Sequence, residues 1–243
     1  MTRPLVLALL TCLAASAQAY VLQPDPSGAT QRVGGPLSYQ VSRQGSRDLE
    51  YGQIVPAVDL AFAAWQAASN GKLAFQNAGP TDLGPPEDGE TRIGVPVVVS
   101  FERESWSFEG DDQAVTILEE DPDNHEIVRA DIVLNDVTHH WAILGDGAPH
   151  PGCDDLQNTL SHEVGHLVGL GHSSLGSAVM FAATHPGEIS KRTLTGDDVA
   201  GIDALYAGAP SAAEAGAGCS TGAGPAASWL VLLGLAVLRR RRS

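Results

Sequence analysis

The stretch from His162 to His172 reads His-Glu-Val-Gly-His-Leu-Val-Gly-Leu-Gly-His. His162 and His166 stand four apart, so a helix there would project both imidazoles from one face at chelating distance. Glu163 would sit on the flank of that face, within reach of a metal-bound water. Gly169 can leave the helix with positive φ at little steric cost, letting the chain double back and bring His172 in as a third ligand. Three neutral imidazoles on Zn²⁺ leave one tetrahedral position open for water, as a catalytic site requires and a closed structural site does not. An amphipathic helix with incidental histidines is the plainer alternative, but it has no use for Glu163 or for the third histidine.

The flanking residues supply the helix. Asp154 or Asp155 can cap its start, and Leu156, Leu160, Val164 and Leu167 recur at helical spacing on the side away from the histidines. One face would pack on a core while the other lines a cleft. Gly165 inside the helix costs about 1 kcal/mol relative to alanine, which points to a close contact there.

His-Glu-x-x-His-x-x-Gly-x-x-His resembles the metzincin metallopeptidase signature, and two further features resemble the matrixin branch. Ser173 directly follows the third histidine, and Met180 lies eight residues beyond His172, where a matrixin places the methionine of its Met-turn. The run Leu194 to Tyr206, with Asp197 and Asp198, looks like the closing matrixin helix. In matrixins such a pair ties that helix to the methionine turn and to the mature N-terminus; locally, carboxylates there suit the helix dipole. The resemblance covers residues 37–207 and is most specific from His162 onward. It implies an α+β, zincin/metzincin-like fold: a twisted mixed sheet of about five strands with three main helices and zinc in the cleft. It also implies His162, His166 and His172 as metal ligands, Glu163 as the catalytic base and Met180 as the apolar floor.

Departures from the family pattern narrow what carries over. Asp131 is followed two residues later by Val133 where many matrixins have a histidine, so a second, structural zinc is not expected. Phe181-Ala182-Ala183 replaces the Pro-x-Tyr wall of vertebrate matrixins, so specificity does not transfer. No cysteine-switch propeptide is expected.

The remaining elements frame this centre. Strands are predicted at Leu37–Val41, Leu73–Gln76, Val95–Phe101, Ala114–Leu118 and Ile127–Asn135, with a helix at Val55–Ser69 whose Val58, Phe62 and Trp65 face the core. Residues 77–91 and 136–153 read as loops. A peptide substrate is expected to lie along Ile127–Asn135 as an edge strand, paired through main-chain hydrogen bonds. Ile127, Asp131, Val133 and Phe181 are the candidate substrate contacts. His185 could line the pocket or simply be solvated; His139 and His140 show no partner at ligand spacing, and Trp141 is expected to pack.

The chain has 243 residues and a formal charge of −15. Within residues 20–210 there are 28 acidic and nine basic side chains, which excludes a nucleic-acid role. The runs Glu119–Asp123 and Asp111-Asp112 could hold Ca²⁺ or be solvated loops, since no EF-hand spacing is present. Arg3, the apolar run Pro4 to Ala15 and Ala17-Gln18-Ala19 read as a signal peptide, residues 1–19, cleaved before Tyr20. Residues 20–36 are a lead-in, 37–208 the catalytic domain, and 209–225 a Gly/Ala-rich linker. Residues 226–243 combine a short apolar span with Arg239–Arg242; with Cys219 upstream they resemble the sorting tag of myxobacterial surface proteins, or form a simple tail anchor. Cys12 and Cys219 fall in the end segments, leaving Cys153 without a partner inside the domain.

The expected activity is therefore that of an exported zinc endopeptidase, a monomer at the cell surface, in the outer envelope or secreted. Its partners would be protein or peptide substrates, and the membrane if the tail is retained. The alternatives are a catalytically silent surface-anchored binding protein on the same scaffold and a metallo-hydrolase acting on cell-wall peptides.

Overall fold

The computed structural model describes residues 19–208, except 26, 88–89, 91, 93–94, 109, 122 and 146–151. The expected leader up to residue 18, the linker and the tail, with Cys12 and Cys219, lie outside the described residues. In chain order the strands are β1 (Val21–Leu22), β2 (Arg32–Val33), β3 (Leu37–Ser42), β4 (Phe75–Thr81), β5 (Val97–Glu102), β6 (Ala114–Glu120), β7 (Glu126–Asn135), β8 (Trp141–Ala142), β9 (Asp154–Asp155) and β10 (Leu170–Gly171). The helices are α1 (Tyr51–Ala68), α2 (Leu156–Leu167) and α3 (Gly196–Leu205), with a 3-10 turn at Ser190–Arg192.

The main sheet is mixed. β4, β3, β5 and β7 run parallel to one another, and β6 joins β7 antiparallel. Ile127 pairs with both Val33 and Glu120, while Ile132 pairs with both Val99 and Thr116. Hence β2 and β5 lie end to end on one side of β7, and the sheet is five ranks wide despite its six strands. β5 is a central strand, buried from Val97 to Phe101 as its Val-Val-Val run requires. β4 runs on through Gly79-Pro80, where the sequence reads as loop. As an edge strand it tolerates a proline that cannot donate to the ladder.

Helix α1 starts four residues before the expected Val55. Pro56 resembles a first-turn proline, yet the helix begins at Tyr51, with the Gln53 side chain accepting a hydrogen bond from the Glu50 N–H at 3.0 Å. Its buried face, Ile54, Val58, Phe62 and Trp65, packs on the sheet and on α2. Phe62 stacks on Tyr39 of β3 with ring centroids 4.0 Å apart. The Trp65 indole N–H donates to the Ser161 carbonyl at 2.7 Å, locking α1 to the helix that carries the histidines. Tyr206, just past α3, donates to Val168 O and accepts from Val33 N, each at 3.0 Å, tying three segments together.

The expected role of β7 is overturned. β7 is flanked on both sides, and the edge strand beside α2 is β6. Ile127, Asp131 and Val133 are buried, at 1%, 2% and 0% exposure, so they cannot contact a substrate from solvent. Nor do the three share one face of β7. A register shift between Glu119 and Glu120, opposite Val128, turns Ile127 into the main core with Ala130, Ile132 and Leu134. Arg129, Asp131 and Val133 stay on the other face. There Arg129 pairs with Glu119 and Asp131, and Arg92 approaches Asp131 at 3.7 Å while donating to the carbonyls of Gly84 and Pro85. Period-2 alternation cannot reveal such a bulge.

Candidate functional site

Asp155 is the N-cap of α2: its carboxylate accepts from the Asn158 N–H at 2.8 Å and also holds the Leu144 N–H and Arg192. Leu156, Leu160, Val164 and Leu167 are fully buried, as their spacing predicts. The opposite face carries His162 and His166, whose Nε2 atoms lie 3.2 Å apart. Gly169 takes φ +104°, and the chain reverses through β10, which pairs antiparallel with β1. That return brings His172 beside the other two, and one ligand atom from each lies within 4.8 Å of the others.

The hydrogen bonds fix the tautomers. His162 Nδ1 lies 2.7 Å from the Val179 carbonyl and His166 Nδ1 lies 2.8 Å from the Leu170 carbonyl. A carbonyl only accepts, so each Nδ1 carries the proton and each Nε2 presents a lone pair. Burial lowers the pKa of all three imidazoles, most strongly for His162, and so favours the neutral form a metal needs. Two converging lone pairs repel unless a cation lies between them. The donor set therefore fits a zinc ion held by His162, His166 and His172.

Glu163 is 5% exposed. Thr116 of β6 donates to its Oε2 at 2.7 Å. Burial pushes its carboxyl up to about 7, against the lowering effect of that hydrogen bond. Met180 is buried beneath the histidine helix. A Cβ on Gly165 would come within 2.1 Å of the Met180 sulfur and 2.7 Å of Trp65, so the close contact expected from this glycine is with the methionine turn.

Asp198 anchors that turn. Its carboxylate accepts from the backbone N–H groups of Val179 and Met180 at 3.0 and 3.1 Å, and from the N–H and hydroxyl of Thr195. Because Val179 also holds the His162 ring, the orientation of that imidazole is transmitted from α3. Replacing Asp198 by alanine strands these buried donors, so stability should fall by about 3 kcal/mol or more. The midpoint of urea unfolding measures it, and a shift within error would show that the turn holds itself. Asp197 accepts from the backbone N–H groups of Ala19 and Tyr20, each at 3.1 Å, and from the Ser173 hydroxyl at 2.7 Å.

The histidines open into a cleft of about 710 Å³. Residues Asp111–Thr116 wall one side, and Ala182, Ala183, Thr184 and Pro186 another. Phe181, expected to contact substrate, is not among the lining residues; its backbone bridges to Ser173 and its carbonyl accepts from Lys191. His185 is exposed and does not line the cleft either.

Two lining or supporting residues escape sequence reasoning. His139 lines the cleft, with Nδ1 2.7 Å from Asp154, whose other oxygen accepts from Gln113. Asp154 raises the His139 pKa against the effect of burial. Lys191 is buried, and its ammonium donates to Phe181 O, Ala183 O and Thr184 Oγ1, fixing the loop that walls the cleft. No spacing links either residue to the motif. Cys153 is half-buried and has no disulfide partner among the described residues.

Fold and site together define a metzincin-type α+β domain built around a three-histidine ligand set. The family model described as Matrixin (Peptidase_M10) matches residues 31–207, and the chain belongs to the matrixin family. It is 49% identical over 57 residues to "Metalloendoproteinase 5-MMP" of Arabidopsis thaliana, covering 24% of this chain and 16% of that protein. It is 54% identical over 52 residues to "Metalloendoproteinase 1-MMP" of the same plant, covering 21% and 14%. "Matrilysin" of Rattus norvegicus is 53% identical over 47 residues, covering 19% and 17%. The matched stretches thus span a minority of each relative's length.

Proposed function

We propose that this protein is an exported zinc-dependent endopeptidase. The observation that carries the reading is the pair of Nε2 lone pairs 3.2 Å apart, both Nδ1 atoms committed to carbonyls, beside a buried glutamate that is not one of the three gathered ligands. Membership of the matrixin family and the metalloendoproteinase names of the relatives support it.

His162, His166 and His172 would hold the ion. When bound, zinc supplies Lewis acidity to a scissile carbonyl and lowers the pKa of water. Glu163 accepts the attacking water's proton and later delivers it to the departing amine. Thr116 occupies Oε2, which leaves Oε1 for that transfer. The substrate lies extended against β6 rather than β7, since the outer edge of β6 has no strand partner among the described residues and Asp111–Thr116 face the cleft. Ala182–Thr184, held by Lys191, form the facing wall.

Export rests on the leader pattern at residues 1–19, and cleavage before Tyr20 would place the new amino group beside Asp197. Among the described residues no helix is long and apolar enough to cross a membrane; attachment or sorting through 226–243 belongs to the same proposal.

Removing the metal tests the reading. Cleavage of a denatured protein by the purified chain should vanish with a zinc chelator and return on adding zinc back. Activity that persists in metal-free protein would overturn it.

A further inference from the structure

A second group of metal-type ligands lies outside the cleft, where the lead-in segment meets the β6–β7 hairpin. Asp25, Glu120 and His125 each offer one ligand atom within 4.8 Å of the others. The Asp25 side chain is only 2% exposed, and its Oδ1 is already committed to the Ser27 hydroxyl and the Ala29 N–H. His125 Nδ1 is a buried ring nitrogen with no hydrogen-bond partner, although it lies 2.6 Å from Asp25 Oδ2. A simple ion pair would aim an N–H at that oxygen, and this contact does not. Glu120 accepts from Gln31 at 2.5 Å through Oε2. No lysine or arginine pairs with Asp25 or Glu120 in the described ion pairs, so two carboxylates face one imidazole.

We propose that Asp25, Glu120 and His125 form a second divalent-metal site, outside the cleft, that takes zinc or a similar transition ion with solvent completing its coordination. One imidazole and two carboxylates make a mixed nitrogen and oxygen donor set, which suits zinc or manganese, whereas calcium takes six to eight oxygens. The acidic runs considered for calcium do not converge. Glu119 turns to Arg129 on the far face of the sheet, and Asp111 turns to Thr138. Only Glu120 of the first run joins the new group.

The ion would fasten the lead-in to the hairpin that carries the cleft's edge strand. The same lead-in pairs through β1 with the residues before His172, and its Gln23 lines the cleft. The clamp thus steadies the catalytic site at a distance, without touching substrate.

The test is zinc binding by the full chain after metal removal, read as stoichiometry and as melting temperature. The wild type should bind two equivalents. His125→Ala and Glu120→Gln should each bind one and keep the zinc at the histidine cluster. His166→Ala should also keep one, and zinc should still raise its melting temperature. That rise should disappear in the His125→Ala/His166→Ala double variant. Glu120→Gln guards against misfolding, since it changes one half-buried side chain without changing its size. A wild type that binds one equivalent, lost in His166→Ala together with any zinc-dependent melting shift, would overturn the second site and leave the catalytic reading intact. A wild type whose zinc is lost in Glu120→Gln but kept in His166→Ala would overturn the catalytic reading instead.

Discussion

Glu163→Gln is expected to lower kcat/KM on a denatured protein substrate by about 10³-fold or more while zinc remains bound at the wild-type level, because general-base removal alone costs 10²–10⁴. The amide keeps the size of the side chain and can still accept the Thr116 hydrogen bond, so fold and cleft shape are preserved. What it loses is the ability to take a proton. Glu163→Ala should lose the same activity, and again keep its metal, because the three candidate ligand atoms all come from histidines. Thr116→Val removes only the hydroxyl that holds Oε2, so it should cost about ten- to a hundredfold, the scale of one hydrogen bond to a charged group, and less than the loss of the base itself. This ordering separates an enzyme from a binding protein on the same scaffold. Cleavage by Glu163→Gln at the wild-type rate would show that another group moves the proton. Loss of zinc in the same variant would show that the glutamate serves the metal instead.

The site was more legible in the sequence than the sheet that frames it. His162, Glu163, His166, Gly169 and His172 are local: eleven residues, one helix and one turn decide their geometry, and period 3.6 with a positive-φ glycine describes both. Gly165 announced a close contact but not its partner, since Met180 and Trp65 are remote in sequence. The order of the strands was not legible. Ile127–Asn135 has the length and apolarity of an edge or a central strand equally, and only pairing with β6 on one side and β2 and β5 on the other decides between them. The short strands β1, β2, β8, β9 and β10 have two residues each and carry no periodicity at all. Lys191 and His139 were missed for the same reason. Their partners, the carbonyls of the wall loop and the carboxylate of Asp154, are set by tertiary structure alone. The assignment of Asp198 to the methionine turn came from family resemblance, and the two backbone N–H groups it accepts supply the physical cause.

Gly169→Ala is expected to destabilise the fold by about 3 kcal/mol or more, since it combines an unfavourable backbone conformation with a clash that cannot relax. The residue has φ +104°, where a side chain is strained whatever space surrounds it. An added Cβ would also fall 2.3 Å from the Gln31 carbonyl oxygen, a backbone atom, and 3.0 Å from Leu205. Relief requires moving the turn, and the turn is what returns His172 to the other two histidines. Zinc affinity should therefore fall along with the unfolding midpoint. Gly165→Ala should cost about 1–3 kcal/mol, because the nearest atoms include the flexible end of Met180 as well as the rigid Trp65 ring. Gly196→Ala, at the first position of α3 with open space around it, should be neutral or slightly stabilising. Urea unfolding of the three variants reads this order directly. If Gly169→Ala unfolded with the wild-type midpoint and still bound zinc as tightly, the reversal after α2 would not be the device that assembles the third ligand.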